Sequence, residues 1–225
     1  MSFTIQDMML TAETRYEMKF LAGKNGWSNS ISWVHLLEDT TIIQNFWGKE
    51  LAVTTGLGFP EKEDWMHLAQ QLNRYHASGL VINVGQYIYD VPEELKAYCD
   101  ENDLPLLTVP WEVHLSDMIK DFSIHVFLQD NTDEQIASAL IAAIETPDNQ
   151  DAYRKDLLQY FDVDGSFQVL LMTCEGLDSM DTVERKKLSY RIQVYLEDIT
   201  HNGSFFYYNS DFVLVANALS EEYLC

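Results

Sequence analysis

The chain has 225 residues, which is enough for one large domain or two small ones. Hydrophobic residues make up 47% and charged residues 22%, a composition that is typical of a folded globular protein and excludes a disordered one. Lysine and arginine total 14 against 36 aspartate and glutamate residues, a formal net charge of -22. Because DNA affinity depends on clustered basic side chains, we expect no direct nucleic-acid binding by this chain.

The cysteines and the N-terminus indicate a cytoplasmic protein. Cys99, Cys174 and Cys225 form no CxxC pair, so they fit reduced thiols better than disulfides or a zinc site. The N-terminus lacks a secretory signal, and no stretch approaches the ~18 consecutive apolar residues of a membrane span. We therefore expect no membrane partner, no metal and no cofactor.

The first half of the chain alternates between short strands and helices. Thr4 is a suitable N-cap for a first helix, and Asp64–His76 and Pro92–Cys99 have helical character. Strands that alternate with helices predict βαβ units, so the expected fold class is α/β with a mainly parallel sheet flanked by helices. The predicted strands are Lys19–Ala22, Ile31–Leu37, Glu50–Thr55, Leu80–Val84 and Pro105–Val109.

A helical region follows Pro110. Its polar run Asp130–Asp133 is expected to interrupt the helix, with Thr132 and Gln135 forming the capping box of a second helix that ends near Ile144. Apolar residues recur before that run at helical spacing, and they either pack on the sheet or pair with a second copy in a homodimer. These residues are Leu115, Met118, Ile119, Phe122 and Val126.

The last part of the chain has a β-α-β-β order. Asn209-Ser210-Asp211 is a tight hairpin signal between two aromatic strands. This order is the opening of a ferredoxin-like unit, which would still need another helix and strand. We therefore predict a first domain at 1–127, a helical linker at 128–150 and a partial domain at 151–225. Its elements are helix Tyr153–Phe161, strand Phe167–Thr173, helix Thr182–Ile199, and strands Ser204–Tyr208 and Phe212–Ala216.

Five stretches of the first domain carry a family likeness, in this order: Ile31–Glu38, Gly48–Gly56, Gly79–Ile82, Val91-Pro92 and Asp103–Pro110. Together they resemble the N-terminal domain of the PucR family of bacterial transcriptional regulators, named for purine catabolism. The resemblance covers roughly residues 4–127 and implies a signal-sensing domain with a small metabolite as its input. It also implies a C-terminal helix-turn-helix in the full-length regulator, which nothing in this chain matches, so we expect a truncated product or a short family member.

The tail from about residue 151 resembles the degenerate GGDEF-like domain that follows in many family members. The hairpin around Asn209 takes the place where active diguanylate cyclases carry Gly-Gly-Asp/Glu-Glu-Phe. Here Tyr208 and Asn209 replace the glycines, and the one carboxylate of Asp211 is too few for two-metal chemistry. The resemblance therefore implies a non-catalytic domain.

A ligand site is predicted where the parallel strands end. Thr54-Thr55-Gly56-Leu57-Gly58 follows a strand, and its hydroxyl and amide groups can hold a polar ligand. The alternative is a structural turn whose glycines satisfy the backbone. The other candidates at this edge are His35, Glu38, Asn83, Gly85 and Trp111.

Two functions remain open from the sequence. In the first, a metabolite binds at these strand ends and alters a homodimer arranged around the helices after Pro110. In the second, the chain is an oligomerisation module without a ligand. Catalysis is not expected, because no titratable cluster is predicted in one cleft.

Overall fold

The computed structural model describes residues 2–197 and 203–217, and these form two compact units. The first unit comprises residues 2–127, and the second comprises the described residues from 128 onward. The sequence-predicted residues Ile199 and Cys225 lie outside the described residues.

The first unit contains one five-stranded sheet with helices on both faces. The elements are α1 (Ile5–Arg15), β1 (Lys19–Ala22), β2 (Trp33–Leu36), β3 (Glu50–Thr54), α2 (Lys62–Arg74), β4 (Gly79–Val84), α3 (Glu93–Glu101), β5 (Leu106–Pro110) and the start of α4 (Leu115–Glu145). The strand order is β1-β5-β4-β3-β2; β2 to β5 are parallel and β1 is antiparallel to β5. The predicted mainly parallel sheet is therefore confirmed.

The N-cap residue Thr4 fixes the start of α1, and the alternation of side chains along the strands divides the core into two layers. The hydroxyl of Thr4 accepts a hydrogen bond from the backbone N–H of Asp7 at 3.1 Å, which confirms the predicted cap. Successive strand residues point to opposite faces, so Ala52 packs with α2 and α3 while Val53 packs with α1 and α4. Both faces of the sheet are therefore covered, as a parallel sheet requires.

The apolar stripe at the start of α4 packs into the core of the first unit. Met118, Phe122 and Val126 are buried there, and Leu115 and Ile119 pack against the same cluster. The stripe therefore packs on the sheet, which is one of the two predicted alternatives. Met118, Phe122 and Val126 are not available for a dimer surface, so the prediction of a dimer contact is wrong for these three residues. A helical apolar stripe shows which face is covered, but it does not show what covers that face.

The predicted interruption of α4 at Asp130–Asp133 is wrong. The helix runs without a break from Leu115 to Glu145. The Thr132 hydroxyl donates to the carbonyl oxygen of Leu128, one turn earlier, at 3.0 Å. A polar run without proline or glycine can continue a helix, and Thr132 bonds backward within it instead of capping a new one.

The second unit contains a three-stranded antiparallel sheet. Its elements are α5 (Arg154–Leu157), β6 (Phe167–Met172), α6 (Thr182–Glu197), β7 (Gly203–Tyr208) and β8 (Asp211–Asn217), and the strand order is β6-β8-β7. The predicted hairpin is confirmed: Asn209 and Ser210 have φ of 47° and 73°, which suits a two-residue turn. The predicted helix Tyr153–Phe161 is much shorter, because only Arg154–Leu157 is helical.

A buried carboxylate organises the turn before β3. Glu50 is buried, and its side chain accepts hydrogen bonds from the backbone N–H groups of Trp47 at 2.6 Å and Gly48 at 2.9 Å. Burial raises the pKa of Glu50, although these hydrogen bonds act in the opposite direction. Glu50 therefore contributes stability below the unfolded-state pKa of about 4.3, and that contribution is lost as pH rises through the raised native pKa.

We predict that Glu50→Gln gains stability relative to the unaltered protein as pH rises from about 5 to about 8, because an amide has no charge to bury. Urea denaturation followed by tryptophan fluorescence at several pH values would measure the difference. The exposed Glu101→Gln is the matched control. If the difference in the free energy of unfolding between Glu50→Gln and the unaltered protein stays constant with pH, or matches that of the control, the raised pKa of Glu50 is contradicted.

Candidate functional site

The candidate site lies at the edge of the first unit's sheet where the four parallel strands end. β2, β3, β4 and β5 run in the same direction, so the residues after each strand meet at this edge. The sequence-predicted residues lie in the last two residues of a parallel strand or follow its end. The structure places them in two groups, one around Glu38 and one around Trp111, and His35 in a packing contact with Phe46.

The Glu38 carboxylate binds the loop that follows β3. Its Oε2 accepts from the Thr54 hydroxyl at 2.9 Å and from the Gly58 N–H at 3.3 Å. Its Oε1 accepts from the Thr55 N–H at 2.8 Å and from the Thr55 hydroxyl at 2.6 Å. The loop is thus an anion-binding turn, and the anion that it binds in this structure is the protein's own carboxylate.

Two glycines allow this loop to close. A Cβ on Gly58 would lie 1.7 Å from the Glu38 carbonyl oxygen, so only glycine fits there. Gly56 has a φ of 86°, and a Cβ on it would meet Trp65 at 3.2 Å and Ile88 at 3.3 Å. The glycines are therefore needed for the turn itself, which is the structural role that the sequence left open as the alternative to ligand binding.

The second group surrounds Trp111 at the end of β5. Asn83 is buried, and its side-chain amide donates to the carbonyl oxygen of Pro110 at 2.6 Å. Gly85 has a φ of 127°, and a Cβ on it would lie 2.9 Å from the Cβ of Trp111. The half-exposed rings of Trp111 and Tyr87 meet edge to face at a centroid distance of 5.6 Å. This group presents an aromatic surface beside buried polar atoms.

His35 takes part in packing. Its ring stacks on Phe46 at a centroid distance of 5.1 Å, and burial lowers its pKa, which favours the neutral imidazole. His35 therefore anchors the segment before β3.

Three residues of the site were not predicted from the sequence: Trp65, Tyr87 and Ile88. The backbone N–H of Gly85 donates to the carbonyl oxygen of Ile88 at 2.8 Å, and Ile88 also approaches Gly56. Ile88 thus lies between the two groups. Tyr87 could have been found because it follows β4 closely, whereas the approach of Trp65 depends on how α2 packs.

The described residues hold no group of three or more histidine, cysteine or acidic side chains that could bind a metal ion. None of the helices within the described ranges is long and apolar enough to cross a membrane.

The architecture defines the first unit as an α/β domain with polar loops and an aromatic pair at the carboxyl edge of a mainly parallel sheet. Residues 8–126 match the Purine catabolism regulatory protein-like family, called PucR. Because this match covers more than half of the 225 residues, the chain belongs to that family.

A curated relative is the purine catabolism regulatory protein of Bacillus subtilis (strain 168), which is 24% identical over 107 residues. The match covers 47% of this chain and 20% of that protein. The matched region thus spans about a fifth of the length of the relative.

Proposed function

We propose that the chain is the signal-sensing portion of a bacterial PucR-type transcriptional regulator, located in the cytoplasm. A small metabolite binds at the carboxyl edge of the first unit's sheet, and binding alters the arrangement of a homodimer. The observation that carries the proposal is the convergence of Thr54, Thr55, Asn83 and Trp111 at one edge of a parallel sheet, where ligands of such sheets bind.

The contacts at this edge favour a planar and uncharged ligand. An anion can reach the Thr55 donors only by displacing Glu38, which already accepts from them. A planar ring can instead stack on the half-exposed Tyr87 and Trp111. Because the relative is named for purine catabolism, uncharged heterocyclic products of purine breakdown are the first candidates.

We predict that one such product binds the full chain and that Trp111→Ala weakens it by roughly ten-fold through loss of the stacking surface. Isothermal titration with xanthine, hypoxanthine and allantoin would measure this. Trp33→Ala, which removes an exposed tryptophan from another strand, is the matched control. If Trp111→Ala weakens binding no more than Trp33→Ala does, the ligand does not stack on Trp111.

The alternative is an oligomerisation module without a ligand. Ile124 and Phe127 are exposed apolar residues of the first unit, three residues apart on α4, and they favour contact with a second copy. Light scattering combined with the same titrations separates the two functions. A stable dimer that binds none of these compounds, and that Ile124→Lys with Phe127→Lys dissociates, would support the alternative.

The second unit fits the proposed degenerate GGDEF-like domain. The strand order β6-β8-β7, with α6 between β6 and β7 in the chain, agrees with the opening of a ferredoxin-like unit. Tyr208, the last residue of β7, and Asn209, the first residue of the hairpin turn, stand in place of the glycines. We therefore propose a non-catalytic role for this unit and assign DNA binding to a helix-turn-helix of the full-length regulator.

A further inference from the structure

The second unit contains a cavity of about 520 Å³ between α4, α6 and the hairpin of β7 and β8. A volume in the range of about 300–1,000 Å³ is typical of sites for small organic molecules. All of the residues that line it belong to the second unit. The cavity is therefore separate from the proposed metabolite site of the first unit.

One wall of the cavity is acidic. Asp130, Asp133 and Glu134 line it from α4, and their spacing places them on one face of that helix. Asp133 accepts a hydrogen bond from the Gln129 amide at 2.9 Å, and Glu134 is exposed. Burial raises the pKa of Asp130; Lys186 opposes this shift, and Asp133 and Glu134 add to it. The potential at this wall is negative and favours a cation.

A second wall is aromatic. Phe205 and Phe212 stack at a centroid distance of 5.2 Å, and Tyr207 meets Phe212 edge to face at 6.0 Å. All three residues line the cavity from the hairpin. Flat ring faces bind both planar apolar groups and cations.

Two basic side chains of the protein already contact these walls. The Arg185 guanidinium lies 4.7 Å from the centroid of the Tyr207 ring. The Lys186 Nζ lies 3.8 Å from the Asp130 Oδ2 and 5.8 Å from the Tyr190 ring centroid. The three carboxylates outnumber these two cations, so the lining keeps a net negative charge. A further cation suits this cavity, and an anion does not.

We propose that this cavity binds a small organic cation with a planar aromatic body. The ammonium group lies against Asp133 and Glu134, and the ring lies against Phe205, which stacks on the buried Phe212. This site is a second ligand input, and it does not depend on the metabolite site proposed for the first unit.

Three probes test the proposal on the full chain: tryptamine, which has a ring and an ammonium; indole-3-acetate, which has the same ring and a carboxylate; and butylamine, which has only the ammonium. Isothermal titration should show saturable binding of tryptamine, with each other probe weaker by about ten-fold or more. Added sodium chloride should weaken tryptamine binding, because salt screens the acidic wall.

Asp133→Asn with Glu134→Gln should weaken tryptamine binding by about ten-fold, whereas Asp148→Asn, an exposed acidic residue of the same unit, should leave it unchanged. Far-UV circular dichroism verifies that the variants are folded. The proposal is overturned if tryptamine does not saturate, if indole-3-acetate binds as tightly, or if the double variant binds as well as the control. Should the double variant not fold, binding to the unaltered protein that is independent of salt overturns it.

Discussion

Replacing Glu38 by alanine should lower the free energy of unfolding by about 2–4 kcal/mol, because the loop after β3 loses its only charged acceptor among the contacts described above. The carboxylate accepts from two hydroxyls and two backbone N–H groups of residues 54–58. Thr54 is fully buried, so its hydroxyl has no access to water in place of the lost oxygen. Urea denaturation followed by tryptophan fluorescence reports on this unit, since all five tryptophans precede residue 127.

Two comparisons separate the charge of Glu38 from its packing. Glu38→Gln retains one acceptor oxygen and should cost less than the alanine variant. Formate should raise the melting temperature of Glu38→Ala more than chloride at equal ionic strength, because it can take the place of the lost carboxylate between the Thr55 and Gly58 donors. A Glu38→Ala variant as stable as the unaltered protein would show that the loop does not depend on this residue.

The Glu38 loop also shows what the sequence could and could not establish. A strand followed by Thr54-Thr55-Gly56 predicted polar groups at the carboxyl edge, and the structure places them there. The sequence also placed Glu38 at this edge. It could not show that Glu38 satisfies these donors itself, because an internal carboxylate and a bound ligand need the same hydroxyl and amide groups.

The errors in α4 have a similar origin. Thr132 and Gln135 have the residue types and spacing of a capping box, but a cap also needs an extended backbone at its first residue, and that is decided by what precedes it. For the apolar stripe that includes Met118 and Phe122, the sequence left open packing on the sheet and pairing with a second copy, and the stripe packs in the core of the first unit. Spacing along a helix defines a face, and only tertiary packing defines its neighbour.

The cavity of the second unit could not be predicted in this way. Its acidic wall and its aromatic wall are about seventy residues apart in the sequence, from Asp133 to Phe205, and neither forms a motif alone. Arg185 and Lys186 also line the cavity, and Arg185 lies over the Tyr207 ring. A single sequence does not show that residues far apart along the chain, which form no motif, come together in one cavity.

Gly58→Ala should be among the most destabilising single-methyl changes at this edge, lowering the free energy of unfolding by about 3 kcal/mol or more. The added Cβ would lie 1.7 Å from the Glu38 carbonyl oxygen and 2.6 Å from its carbonyl carbon. Both are backbone atoms, so no rotamer change relieves the contact, and the loop must move away from Glu38. Tryptophan fluorescence during urea denaturation would measure the loss.

Gly176→Ala is the control that separates crowding from backbone strain. Gly176 has a φ of 82°, yet a Cβ there would meet nothing closer than the Ser179 Oγ at 3.7 Å. Gly176→Ala should lower the free energy of unfolding only through the strained backbone conformation, by about 1 kcal/mol. Far-UV circular dichroism would measure this loss, because the tryptophans lie in the other unit. If Gly58→Ala costs no more than Gly176→Ala, the loop tolerates movement away from Glu38. The carboxylate could then also give way to a ligand, so the result decides whether the turn after β3 is fixed or exchangeable.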